Sequence, residues 1–152
     1  MKMPQIKINF KPLFWEALSL FIVVIILHCM ASAYHLYWKI YEFDSILHFL
    51  GGATLSLFFL WLYFYSGLFK PRNRKLKDFI VIALLGSVSI ALFWEIYELI
   101  FKRYMVQISD YPYDLTMDLI MDVLGASVGF LYGYMRELEI LKGEKTKNNE
   151  QS

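Results

Sequence analysis

Four long apolar blocks limit what this chain can fold into more than any other feature. They run roughly Leu13–Tyr37, Ile46–Phe69, Phe79–Phe101 and Leu115–Tyr134. Each is near or above the ~20 residues that an α-helix needs to cross a bilayer. A soluble helical bundle would need polar outer faces on these blocks, and they carry too few charges for that. The chain is 58% hydrophobic, against about 45–50% in a soluble domain. The expected fold is all-α: a polytopic membrane protein with one bundle of four transmembrane helices. Residues 1–12 form a cytoplasmic or interfacial lead-in, and 13–135 the transmembrane domain, with helices near 13–38, 46–69, 78–101 and 114–135. A cytoplasmic polar tail, 136–152, follows; it starts as a helical extension and ends disordered.

Charge fixes the expected orientation. Of the fifteen Lys and Arg, twelve lie in the N-terminus, the second connection (Lys70–Lys77) and the C-terminal tail. The other side has only Lys39, Lys102 and Arg103. By the positive-inside rule both termini are cytoplasmic, in a multi-pass protein of the plasma (inner) membrane. The first block is longer than the apolar core of a signal peptide, and Ala31-Ser-Ala33 is a weak cleavage match. One cysteine, Cys29, permits no intramolecular disulfide. A net charge of +1 gives no reason to expect nucleic acid. The basic run Lys70–Lys77 reads as a topology determinant that touches anionic head groups.

The last block carries an unusual stripe. Asp114, Asp118 and Asp122 recur every four residues, followed by Gly125, Gly129 and Gly133. On a helix all six fall within roughly a 100° arc. The glycine half suits close packing of a neighbouring helix, or a homo-oligomer through the same face. Other ionisable groups fall at the same expected depth. Asp44 and His48 are four apart at the start of the second helix, and Glu95 and Glu98 three apart near the end of the third. His28 and His35 share a face of the first helix and are additional candidates; helix–helix hydrogen bonding explains them equally well. Nearly all these groups lie in the outer half of the membrane, which argues for a single site.

Acids in a membrane interior are costly and usually functional. With no Lys or Arg inside the helices, three solutions stay open: a bound divalent metal, a protonated hydrogen-bonded network, or separate structural contacts. Carboxylates with one imidazole suit Mg, Mn, Zn or Fe. The metal ligands expected are Asp44, His48, Glu95, Glu98, Asp114, Asp118 and Asp122. A cation would polarise a phosphoryl or carbonyl oxygen or activate water, with Glu95 or Asp118 as general base. No Gly-rich phosphate loop, Ser-His-Asp order or cysteine nucleophile is visible.

The runs Tyr41-x-x-Asp44-x-x-x-His48-Phe49-x-x-Gly52, Phe93-x-Glu95-Ile-Tyr97-Glu98 and Tyr113-Asp114-x-x-x-Asp118-x-x-x-Asp122-x-x-Gly125-Ala126 resemble those of YjdF-like inner-membrane proteins. More distantly they resemble VanZ-like proteins, named for a teicoplanin resistance factor. The resemblance covers about two-thirds of the chain. It places Asp44, His48, Glu95, Glu98, Asp114 and Asp118 on recurrent polar positions and implies a polytopic membrane protein, without an established reaction. At Asp122 the sequence departs: a small apolar residue is expected in YjdF-like relatives and an Asn in VanZ-like ones. The resemblance therefore lends less to Asp122 than to Asp118.

The function expected is a metal-assisted hydrolase or transferase acting on a lipid or lipid-linked head group, with membrane lipids as surroundings. The alternative is a non-enzymatic cation- or proton-binding transport or accessory protein. A transporter should need polar groups continuing toward the cytoplasm, and below Asp122 and His28 the sequence offers almost none.

Overall fold

The computed structural model describes residues 12–40, 42–71, 74–105 and 111–150; most of the expected N-terminal lead-in, 1–11, lies outside them. The elements in order are α1 (Phe14–Tyr34), α2 (Leu36–Lys39), α3 (Phe43–Leu60), α4 (Leu76–Met105) and α5 (Tyr111–Glu150). No strand occurs among the described residues. Four helical stretches are long and apolar enough to cross a membrane: Phe14–Tyr34, Phe43–Tyr65, Leu76–Tyr97 and one within Leu115–Asn149. The protein is an all-α bundle of four membrane-spanning helices.

Burial follows from side-chain distribution. α1 is apolar almost all round, exposes Phe21, Ile22, Ile25 and Ile26, and buries only Ala17 and Ala31 along its length. A helix of that kind faces lipid and touches its bundle through small residues. α3 is the central helix. It buries Leu47, Ala53, Leu57 and Leu60 and packs on α1, α4 and α5.

The α3–α5 interface is the most extensive in the molecule, and glycine makes it possible. A Cβ on Gly125 would overlap the Phe49 carbonyl, and one on Gly52 would overlap the Asp122 carbonyl. Gly129 faces the Ala53 carbonyl and Ser56, and Gly133 faces the Leu60 side chain. The stripe is therefore used inside the chain, which occupies the face that the sequence offered to a second copy. We expect Gly125→Ala to destabilise the protein by about 1–3 kcal/mol, because α3 and α5 must separate. Gly51→Ala is the control: nothing lies within 4 Å of its added Cβ, so it should be neutral or gain about 0.5–1 kcal/mol of helix propensity. Unfolding of the purified proteins in mixed micelles compares them; equal loss in both variants would refute the close-approach account.

The helix ends shift by a few residues from expectation, with α3 and its π-helical turn stopping at Tyr65 and α4 reaching Met105, and the first and last helices differ in kind. The first breaks at His35, which is left-handed (φ 56°, ψ 39°) while its N–H still reaches the Ala31 carbonyl. Such a conformation costs a non-glycine residue about 1–2 kcal/mol. The break turns α2 back so that the Tyr37 hydroxyl lies 2.7 Å from His28 Nδ1. The last helix continues past 135 to Glu150. Its extension is rich in Glu, Leu and Lys, which favour helix, and Arg136 pairs with Glu139 one turn on at 2.9 Å.

The end of α3 away from His48 is tied down by an ion pair between a buried glutamate and an arginine at the surface. α3 runs on into a single π-helical turn, Trp61–Tyr65. Glu137 on α5 is 1% exposed. It accepts two hydrogen bonds from Arg74 Nη1 (2.9 and 2.8 Å) and one from the Tyr65 hydroxyl at 2.5 Å. Arg74 also donates to the Phe64 carbonyl and lies over the Tyr65 ring, 4.9 Å from its centroid. One glutamate thus fastens the α3–α4 connection to α5.

Candidate metal centre

Each helix delivers its acids by turn spacing. Asp44 lies in the first turn of α3 and His48 one turn later, so both face the same way. Asp118 and Asp122 repeat that spacing on α5, and α4 contributes Glu95. The Gly52 and Gly125 contacts bring the α3 and α5 backbones together just where these side chains emerge.

All four carboxylates surround His48. Its Nε2 lies 3.9 Å from Asp44 Oδ1, 3.8 Å from Glu95 Oε1 and 3.8 Å from Asp118 Oδ2. Its Nδ1 lies 3.0 Å from Asp122 Oδ2. His48, Glu95, Asp118 and Asp122 are buried and Asp44 is half-buried. Two sets of donor atoms, Asp44/His48/Asp118 and His48/Glu95/Asp122, each fall within 4.8 Å of one another.

The two sides of the imidazole do different work. A 3.0 Å contact at Nδ1 is a hydrogen bond; 3.8–3.9 Å at Nε2 is not. When Nδ1–H donates to Asp122, the Nε2 lone pair points among three carboxylate oxygens. In that tautomer acceptor faces acceptor, which either a proton on Nε2 or a shared cation relieves. The separations are slightly wider than the about 3.4 Å between ligands around a tetrahedral zinc with bonds near 2.1 Å. A ligating histidine held through its other nitrogen by a carboxylate is the usual outer-sphere arrangement of metal sites.

The structure thus brings five expected residues together: Asp44, His48, Glu95, Asp118 and Asp122. It does not bring His28 or His35 to them. His28 is exposed and bonded to Tyr37, and His35 caps the end of α1. The side chains of Glu98 and Asp114 lie outside the described residues. Sequence reasoning missed the Glu137–Arg74–Tyr65 cluster, although the four-residue step from Gly133 leads directly to Glu137.

Between the two polar clusters the described residues of α3, α4 and α5 carry no charged side chain, only hydroxyls, of which Ser56 is fully buried. Thr54 bonds to the Leu50 carbonyl at 2.7 Å and Ser87 to the Ala83 carbonyl at 2.6 Å, each on its own helix. Gly125 and Gly129 press the α5 backbone against α3 across the same stretch.

A family model described as "Predicted membrane protein (DUF2238)" matches residues 5–138. No curated protein and no solved structure matches the chain.

Proposed function

The chain belongs to this family of predicted membrane proteins, and on that footing we propose that it binds a divalent cation at the His48 cluster and uses it in hydrolysis or group transfer on a lipid or lipid-linked head group. The observation that carries the reading is the pair of roles on one imidazole: Nδ1 held by Asp122, Nε2 facing Asp44, Glu95 and Asp118. Asp44, His48 and Asp118 make a three-ligand set, the number typical of catalytic zinc sites that keep a position open. Glu95, at a similar distance from Nε2, is the proposed general base. One imidazole among carboxylates favours Mn, Fe or Zn over Mg, which prefers oxygen alone. A bound cation would supply Lewis acidity toward a phosphoryl or carbonyl oxygen.

The proposal includes location: a plasma (inner) membrane, both termini cytoplasmic, the cluster in the outer half. The distribution of Lys and Arg supports this. The YjdF-like and VanZ-like resemblance is part of the same reading, since its recurrent polar positions include four of the five clustered residues. A non-enzymatic cation or proton carrier is less favoured, because among the described residues α3, α4 and α5 carry no charged side chain between the His48 cluster and the Glu137 end, only hydroxyls such as Thr54, Ser56 and Ser87.

Elemental analysis of the purified protein tests metal and orientation together. We expect about one transition-metal ion per chain. It should be lost when sealed right-side-out vesicles meet a membrane-impermeant chelator, and kept when inside-out vesicles do. Absence of stoichiometric metal in the parent protein sinks the metal reading. Loss only from inside-out vesicles reverses the orientation.

A further inference from the structure

At the end of the bundle that also carries the Glu137 clamp, α4 and the end of α3 leave a groove open to the bilayer. Phe59, Leu62 and Tyr63 form one wall, Val81 and Leu85 the other, and Phe69 closes its end. The cavity is about 220 Å³ and offers an apolar chain contact on both sides. Val81, Leu85 and Phe69 are exposed, so the groove opens sideways toward lipid. Gly86 lines it as well, and a Cβ there would strike the Phe59 ring. The groove's depth therefore depends on the missing side chain.

Exposed positive charge lies at the same end of the bundle as this groove. Lys77, Val81 and Leu85 are four apart along α4 and share one face, with Lys77 outermost. Lys70 follows Phe69, and Lys75 precedes the first residue of α4; all three lysines are exposed. Arg74 is not part of this set, because Glu137 holds it. Asp78 is the one acid in the same turn, and its carboxylate accepts the Lys75 backbone N–H at 3.1 Å. An apolar slot with Lys77 one turn beyond Val81, Lys70 next to Phe69 and Lys75 exposed at the same end of the bundle matches an amphiphile with an anionic head.

We propose that this groove is a binding site for one anionic phospholipid: an acyl chain lies between Phe59 and Leu85, and the phosphate meets Lys70, Lys75 and Lys77. The site is separate from the His48 cluster, at the opposite end of the bundle, and does not depend on metal there. Bulk lipid binding would need neither the slot nor the lysines in register. Lysines at a membrane surface strengthen attraction to anionic lipid, so the head group should matter roughly tenfold or more.

Native mass spectrometry of the full chain, released from micelles doped with phosphatidylglycerol or phosphatidylcholine, tests this. We expect one phosphatidylglycerol retained per chain, at least about tenfold over phosphatidylcholine. Leu85→Trp fills the slot with another apolar, lipid-facing side chain and should remove the retained lipid. Lys70→Gln/Lys75→Gln/Lys77→Gln should keep chain binding and lose the head-group preference. Equal retention of both lipids by the parent protein overturns the proposal, as does full phosphatidylglycerol retention in Leu85→Trp. Circular dichroism of both variants confirms the fold, and Gly51→Ala, near the other end of α3 with nothing within 4 Å of its added Cβ, should retain lipid as the parent does.

Discussion

His48→Ala is expected to abolish stoichiometric metal binding, and Asp122→Asn to weaken it by about 10–100-fold. The difference follows from the two faces of the ring. His48 supplies the only nitrogen donor in the cluster and touches all four carboxylates. Without it, Asp44, Glu95 and Asp118 keep oxygen donors but lose the atom that they share. Asp122 acts through the ring; an asparagine carbonyl there still accepts the Nδ1–H, so ring orientation survives in part. Competition with a chromogenic chelator measures both affinities. Thermal unfolding provides a second readout, since a ligand at 100 times its Kd stabilises the folded state by about 2.7 kcal/mol. The parent protein should gain that stability on metal addition, and His48→Ala should not. If both proteins unfold alike at every metal concentration, the cluster is a hydrogen-bonded network and the cation reading fails.

Glu137→Ala is expected to destabilise the bundle by about 3 kcal/mol. Removing one partner of a fully buried ion pair costs about 3–5 kcal/mol. The lower end applies because the Arg74 side chain is 36% exposed and can turn to water. Glu137 meets Arg74 twice and Tyr65 once, so the variant orphans two partners. Tyr65→Phe removes only the hydroxyl bond and should cost about 1 kcal/mol. Arg74→Lys keeps charge but not the paired donors from the guanidinium, and should fall between the two. Denaturant unfolding in micelles ranks the three variants. A Glu137→Ala protein within about 0.5 kcal/mol of the parent would show that the pair is a surface contact without structural weight.

These two sites differ in how far the sequence reveals them. The four spans are legible because the bilayer fixes a length and a composition that each block meets on its own. Asp44 with His48, and Asp118 with Asp122, are legible as turn-spaced pairs on single helices. That Glu95 joins them follows from shared depth once orientation is assumed. The role of Asp122 is not legible: its bond to His48 spans 74 residues, and no local spacing encodes it. The same holds for Arg74 and Glu137, 63 residues apart, which read separately as a basic loop and a polar tail. His28 and His35, read from the sequence either as additional candidates or as hydrogen-bonding residues, stand apart from the cluster. They share a helical face on paper, but the left-handed turn at His35 ends that face.

The glycine contacts also divide the site's walls by stiffness. α3 and α5 meet backbone to backbone at Gly52 and Gly125, so His48, Asp44, Asp118 and Asp122 sit beside two contacts that have no intervening side chain to repack. α4 meets its neighbours through side chains, as Gly86 does the Phe59 ring. Glu95 arrives on that softer wall, between Phe93, Trp94 and Ile96, all exposed on the outside of the bundle. Any adjustment to the size of an occupant therefore falls on one helix. Variation along α4 should retune which occupant fits, while α3 and α5 hold the frame to which it is fitted.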